Sequence, residues 1–103
     1  MREGTASTSA GSTWLLHPNG LHARPAIKLT QLAKRFAAGV RLAVSASGPW
    51  TDAKSIAKVM AMKVPSGVLL FFEADGVDAA VAVSALMALV DGDFGSGRDG
   101  DER

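Results

Sequence analysis

The spacing of apolar residues changes several times along this chain, and each change marks an element. Trp14-Leu15-Leu16 is a short apolar run that His17-Pro18-Asn19-Gly20 cuts off, because Pro, Asn and Gly favour a turn over a continued strand. Pro25 follows, with a fixed φ and missing N–H that suit a first helical turn. Behind it, Leu29, Leu32, Ala33 and Phe36 recur at i, i+3, i+4 and i+7. That spacing predicts a helix with one buried face, with Lys28, Lys34 and Arg35 off the stripe and Gly39 as a stop signal. From Val40 the period falls to two. Val40, Leu42 and Val44 alternate with Arg41, Ala43 and Ser45, as in a half-buried strand. Ser47-Gly48-Pro49 turns the chain, and Trp50-Thr51 begins a short return strand. Ile56, Val59 and Met60 then predict a short helix over Ser55–Met62. A continuous apolar strand follows over Val68–Phe72, ended by Asp75-Gly76. The last helix runs from an Asp78 cap through Ala79–Val90, with Val81, Ala85 and Leu89 as an i+4 row beside Leu86 and Val90.

The flanks carry no such period. Residues 1–12 are rich in Gly, Ser, Thr and Ala and read as a flexible leader, although its last part could be drawn into an edge strand. Residues 95–103 are Gly-rich and charged and read as a disordered tail. One domain over residues 13–94 remains, with the order β-α-β-β-α-β-α. Helices gathered on one face of a mostly antiparallel sheet make it an α+β fold. The expected architecture is an open-faced sandwich of four antiparallel strands and three helices.

Composition narrows the chemistry. A chain of 103 residues, 48% hydrophobic and 20% charged, is globular and has room for one core. The absence of Cys excludes disulfide frameworks, Cys-zinc sites, iron–sulfur clusters and thiol catalysis, and fits a reducing compartment. No stretch approaches the roughly 18 to 20 apolar residues that span a bilayer, and the first residues lack a signal-peptide run. A soluble, cytoplasmic, monomeric domain without membrane insertion is the expectation. The formal net charge of +1 argues against a generic polyanion binder, yet it hides a segregation. Residues 24–63 hold eight basic residues against one acid, Asp52, while residues 64–103 hold two basic residues against eight acids. Such a middle segment is suited to steering acidic partners towards whatever site it surrounds.

The segment that carries chemistry is Asn19-Gly20-Leu21-His22-Ala23-Arg24-Pro25-Ala26. A turn delivers His22 to the start of a helix, where backbone N–H groups lack partners and the helix dipole is positive. An anion is welcome there, phosphate above all, and the Arg24 guanidinium two residues on is shaped to clamp it. The same field disfavours added positive charge on the imidazole and leaves a ring nitrogen available as a nucleophile. A His before a helix is, however, often only a cap or a turn residue. His17 has no helix start beside it and reads as structural.

This segment resembles the active-site motif of the HPr family, the histidine-containing phosphocarriers of the bacterial phosphoenolpyruvate-dependent sugar phosphotransferase system. Ala53-Lys54-Ser55-Ile56 resembles the family's second signature at the expected distance. Gly67 before an apolar strand, Ala74-Asp75-Gly76 with Asp78-Ala79, and the element order match as well. The resemblance covers about residues 13–94. It implies that His22 accepts a phosphoryl group on Nδ1 from phospho-enzyme I, that Arg24 steadies it, and that a IIA domain of a sugar permease receives it. It also implies that no metal or other cofactor is needed for that step, and that the protein is a carrier with a transient phosphohistidine, not an enzyme. Ser55 matches the serine that an HPr kinase modifies in some bacteria, and it also stands where a helix N-cap belongs. Lys28, Lys54 and Lys58, with Arg24, are expected to ring His22, and Ile56 and Met60 to supply a partner patch.

Several residues depart from the family pattern. Ala57 stands where a larger apolar residue is common, Lys63 where Gly is frequent, and Ser96 where Glu often follows Phe-Gly. The turn at Ser47–Trp50 is slightly longer than usual. These departures leave the partner and the pathway branch open. The alternative is a regulatory HPr-like module of a nitrogen-type phosphotransferase or dihydroxyacetone-kinase branch, told apart by the acceptor that drains the label. A nucleic-acid binder is the poorest fit, since only Trp14 and Trp50 could stack bases and no binding motif is present.

Overall fold

The computed structural model describes residues 8–95. Seven elements follow one another: β1 (Thr8–Leu15), α1 (Ala23–Ala33), β2 (Gly39–Ala43), β3 (Thr51–Asp52), α2 (Ile56–Ala61), β4 (Val68–Asp75) and α3 (Ala79–Asp91), with a short 3₁₀ turn at Asp93–Gly95. The strands form one antiparallel sheet in the order β1-β4-β2-β3. The α+β open-faced sandwich expected from the sequence is the architecture observed.

β4 is central because its alternation is complete. Leu70, Phe72 and Ala74 are buried, and their neighbours face the other way. With Leu15, Val40 and Leu42 they form the sheet side of the core, closed by Ala26, Leu29 and Ala33 of α1, Val59 of α2, and Ala82, Val83 and Leu86 of α3. The opposite face carries a charged lattice. Arg41 donates to Glu73 Oε1 (2.8 and 3.1 Å) and Asp75 Oδ2 (2.8 Å), and its guanidinium lies 6.0 Å from the Trp50 ring centroid. These bonds hold the Asp75 carboxyl below its ordinary range and push the Arg41 guanidinium up.

Several local expectations differ from the structure. β1 begins at Thr8, within the segment read as leader, and all eight of its residues pair with β4. Its small residues serve close packing: a Cβ on Gly11 would lie 2.3 Å from Met87 Sδ of α3. Thr13 also donates to the Asp91 carboxylate on that helix. The rest of the leader and the tail from Ser96 on lie outside the described residues. α1 ends at Ala33, well before Gly39, which instead opens β2. Val44 is exposed, so the alternation stops at Leu42. In α3 the buried face is Ala79, Ala82, Val83, Leu86 and Val90, while Val81 is 61% exposed. A helix reading AAVAVSALMALV is apolar nearly all round, so spacing alone could not select its face.

Asp78 fixes the loop that follows α1. It stands at the N-cap of α3 but makes no side-chain capping bond there. Its carboxylate accepts from Ala37 N (2.9 Å) and Ala38 N (2.8 Å), fixing the loop into β2. Those two N–H donors hold its titration below the ordinary carboxylate value. A lowered folded-state pKa contributes stability above the unfolded value and loses it as pH falls through the folded one. Asp78→Ala is therefore expected to lower the Tm at neutral pH. Its difference from wild type should shrink in melts recorded progressively below about pH 4, where the unfolded carboxyl protonates.

Lys63, just past α2, has φ +53° in the left-handed region. A side chain is disfavoured there and glycine is not. Lys63→Gly is expected to raise stability by about 1 kcal/mol, read as a shifted denaturant midpoint with an unchanged m-value.

Candidate functional site

The loop between β1 and α1 is built to present His22. Gly20 N donates to the His17 carbonyl at 2.8 Å, closing a turn in which Gly20 has φ +68°. Leu21 is buried, and its N–H donates to the Val64 carbonyl at 2.9 Å, tying the loop to the chain beyond α2. His22 then occupies the N-cap of α1 in an extended conformation (φ −93°, ψ −165°), and its carbonyl accepts from Ala26 N at 2.8 Å. Its side chain makes no capping bond and stands exposed. The N–H groups of Ala23 and Arg24 have no acceptor among the described residues, and Pro25 has none to satisfy. Arg24 is exposed and likewise without an ion pair among them.

His22 sits between two shallow hollows. One, of about 620 Å³, gathers Arg24, Asn19, His17 and Asp93 with His22 over a floor that includes Pro18, Ala23 and Pro25. The other, of about 410 Å³, is mainly apolar, lined by Leu21, Met60, Val64 and Pro65 together with Lys63. An exposed imidazole, with a guanidinium and helix-start N–H groups that have no partner among the described residues, is an arrangement that can receive an anion.

Residues 13–91 match the PTS-HPr family, described as the PTS HPr component phosphorylation site. The chain belongs to the HPr family. It is 42% identical to the phosphocarrier protein HPr of Cupriavidus necator over 82% of this chain and 93% of that one. The HPr of Haemophilus influenzae is 36% identical over 74% and 87% respectively. Among solved structures, an HPr from Thermoanaerobacter tengcongensis superposes with a TM-score of 0.78 at 30% identity, covering 85% of this chain and 97% of that one. The HPr of Bacillus anthracis gives 0.73 at 32% identity, with 82% and 98% covered.

The HPr-like site gathers only some of the residues expected at it. His22 and Arg24 share the larger hollow, and Met60 lines the smaller one with His22. Lys28, Lys54 and Lys58 line neither. Lys28 Nζ donates to the Phe94 carbonyl (3.0 Å) and Lys54 Nζ to the Phe36 carbonyl (2.8 Å), both partly buried. They satisfy carbonyls at chain turns, so their first role is to fasten the C-terminal turn and the α2 approach onto α1. Ile56 is half-buried and lines a separate groove with Ile27, Thr30 and Gln31. Ser55 is the N-cap of α2, where its Oγ accepts from Lys58 N at 3.3 Å.

Sequence reasoning did not single out Ile27, and it read His17 as structural. Ile27 is 44% exposed although apolar, and its position off the buried stripe of α1 was the available signal. His17 lines the same hollow as His22, which the chain spacing of five residues across a turn does not reveal. Among the described residues no group of three or more His, Asp or Glu side chains is arranged to hold a metal, and no helix is long and apolar enough to cross a membrane.

Proposed function

We propose that this protein carries a phosphoryl group from phospho-enzyme I to a IIA domain of a sugar phosphotransferase system, with His22 as the acceptor. The observation that carries this reading is the uncapped His22 side chain at a helix start whose Ala23 and Arg24 N–H groups have no acceptor among the described residues, beside the Arg24 guanidinium. The Nδ1 lone pair of His22 attacks phosphorus in line with the donor's P–N bond. One P–N bond forms as the other breaks. The donor ring leaves as neutral imidazole with the proton on its own second nitrogen, and His22 keeps its Nε2 proton. The loose transition state carries its charge on the equatorial oxygens, where the two N–H groups and Arg24 meet it. Transfer to the IIA domain reverses these steps against a new acceptor.

Met60 and Ile27 offer an exposed apolar surface to both partners, and the basic middle segment steers them. The same partners set the protein in the cytoplasm. Ser55, if phosphorylated by an HPr kinase, would place a dianion within this surface while its oxygens still accept from Lys58 N. The test is a chase. Protein charged with labelled phosphoenolpyruvate and enzyme I, freed of donor, should lose its label to a sugar-permease IIA domain within the mixing time. Label that moves only to a nitrogen-type IIA or a dihydroxyacetone-kinase subunit assigns the regulatory branch instead.

A further inference from the structure

We propose that His17 is a positioning residue of the phosphoryl site, donating a hydrogen bond from Nε2 to the phosphoryl group on His22. The inference rests on the reading of His22 as the acceptor. His17 belongs to the loop before α1 and lines the larger hollow together with His22 and Arg24. Its ring is braced on several sides. Nδ1 accepts from Asn19 N at 3.3 Å, the ring meets Phe94 edge-on at 5.9 Å and 80°, and the backbone carbonyl is held by Gly20 N at 2.8 Å. Phe94 is itself buried, and its carbonyl is anchored by Lys28.

The bond from Asn19 favours one tautomer. A backbone N–H can only donate, so Nδ1 must present its lone pair, and the neutral ring carries its proton on Nε2. That Nε2–H has no acceptor among the described residues, while the residue is half-buried beside the hollow. A phosphoryl group has three oxygens to satisfy. α1 offers two backbone donors and one guanidinium from its own end of the hollow, and the loop offers His17.

A donor that meets only the phosphorylated form shifts the transfer equilibrium, not merely its rate. The experiment measures the equilibrium distribution of label between enzyme I and this protein for wild type, His17→Ala and His17→Gln. Loss of one such hydrogen bond is expected to lower the equilibrium constant for charging about threefold to tenfold in His17→Ala. His17→Gln, which restores an N–H donor, should recover most of it. A parallel ¹⁵N spectrum of the wild-type protein should show His17 protonated on Nε2, with that proton moving downfield and exchanging more slowly once His22 is charged. This second reading needs no variant, so it decides the matter if a substitution unfolds the loop. An unchanged equilibrium in a folded His17→Ala, or an Nε2 signal that ignores charging, overturns the role of His17 while leaving the carrier function intact. Failure of the wild-type protein to charge at His22 at all overturns both.

Discussion

Arg24→Ala is expected to slow phosphoryl transfer to His22 by about 100-fold or more while leaving the fold in place. Removing one preorganised donor from a developing oxyanion costs about 10² to 10³ in rate. Arg24 is exposed, has no ion pair among the described residues and sits in the hollow that His22 shares. Its side chain is thus uncommitted until an anion arrives, and its removal opens no cavity. The melting curve should stay close to wild type, since surface substitutions of this kind usually fall within about 0.5 kcal/mol. Arg24→Lys keeps the charge and loses the planar fork, so an intermediate rate is expected. Quenched-flow charging by enzyme I measures all three. A folded Arg24→Ala that charges at the wild-type rate would remove Arg24 from the site.

Gly20→Ala should be the most damaging single substitution in the loop. Gly20 has φ +68°, a region that costs other residues about 1–2 kcal/mol. A Cβ there would also lie 2.3 Å from the Val64 carbonyl oxygen and 2.8 Å from the Pro65 carbonyl carbon. Both are backbone atoms, so neither can rotate aside, and Val64 O is the acceptor that holds Leu21 N. The combined cost is about 3 kcal/mol or more, a fall in Tm of at least about 10 °C for a domain this size. What folded protein remains should charge slowly, because the bond that places His22 at the start of α1 is the one displaced. A thermal melt and a charging assay on the same preparation read both effects.

The placement of the two residues at the centre of the candidate site was legible in the sequence because everything that places them is local. The turn, the helix start, His22, Arg24 and Pro25 all fall within eight residues, and their meaning follows from helix-end electrostatics. What was illegible depends on distant partners. Thr8–Ser12 resembles a leader until the unpaired edge of β4, sixty residues on, supplies a strand to pair with and α3 supplies a surface that needs Gly11 to be small. Lys28 and Lys54 look like free surface charges until Phe94 and Phe36 present carbonyl oxygens to them. Asp78 reads as a helix cap, yet its carboxylate reaches back to Ala37 and Ala38 instead. His17 lies five residues from His22 in sequence, and only the folded turn sets both on one hollow.

The most direct test of the central claim is the chemical identity of the charged residue. Wild-type protein and His22→Ala are incubated with enzyme I and labelled phosphoenolpyruvate, and the label is examined for acid lability and mapped to a residue. Acid-labile label on His22 of the wild type, absent from a folded His22→Ala, is the predicted result. Label that persists in His22→Ala, or a wild-type protein that takes up none, would contradict the assignment of this helix start as a phosphoryl site.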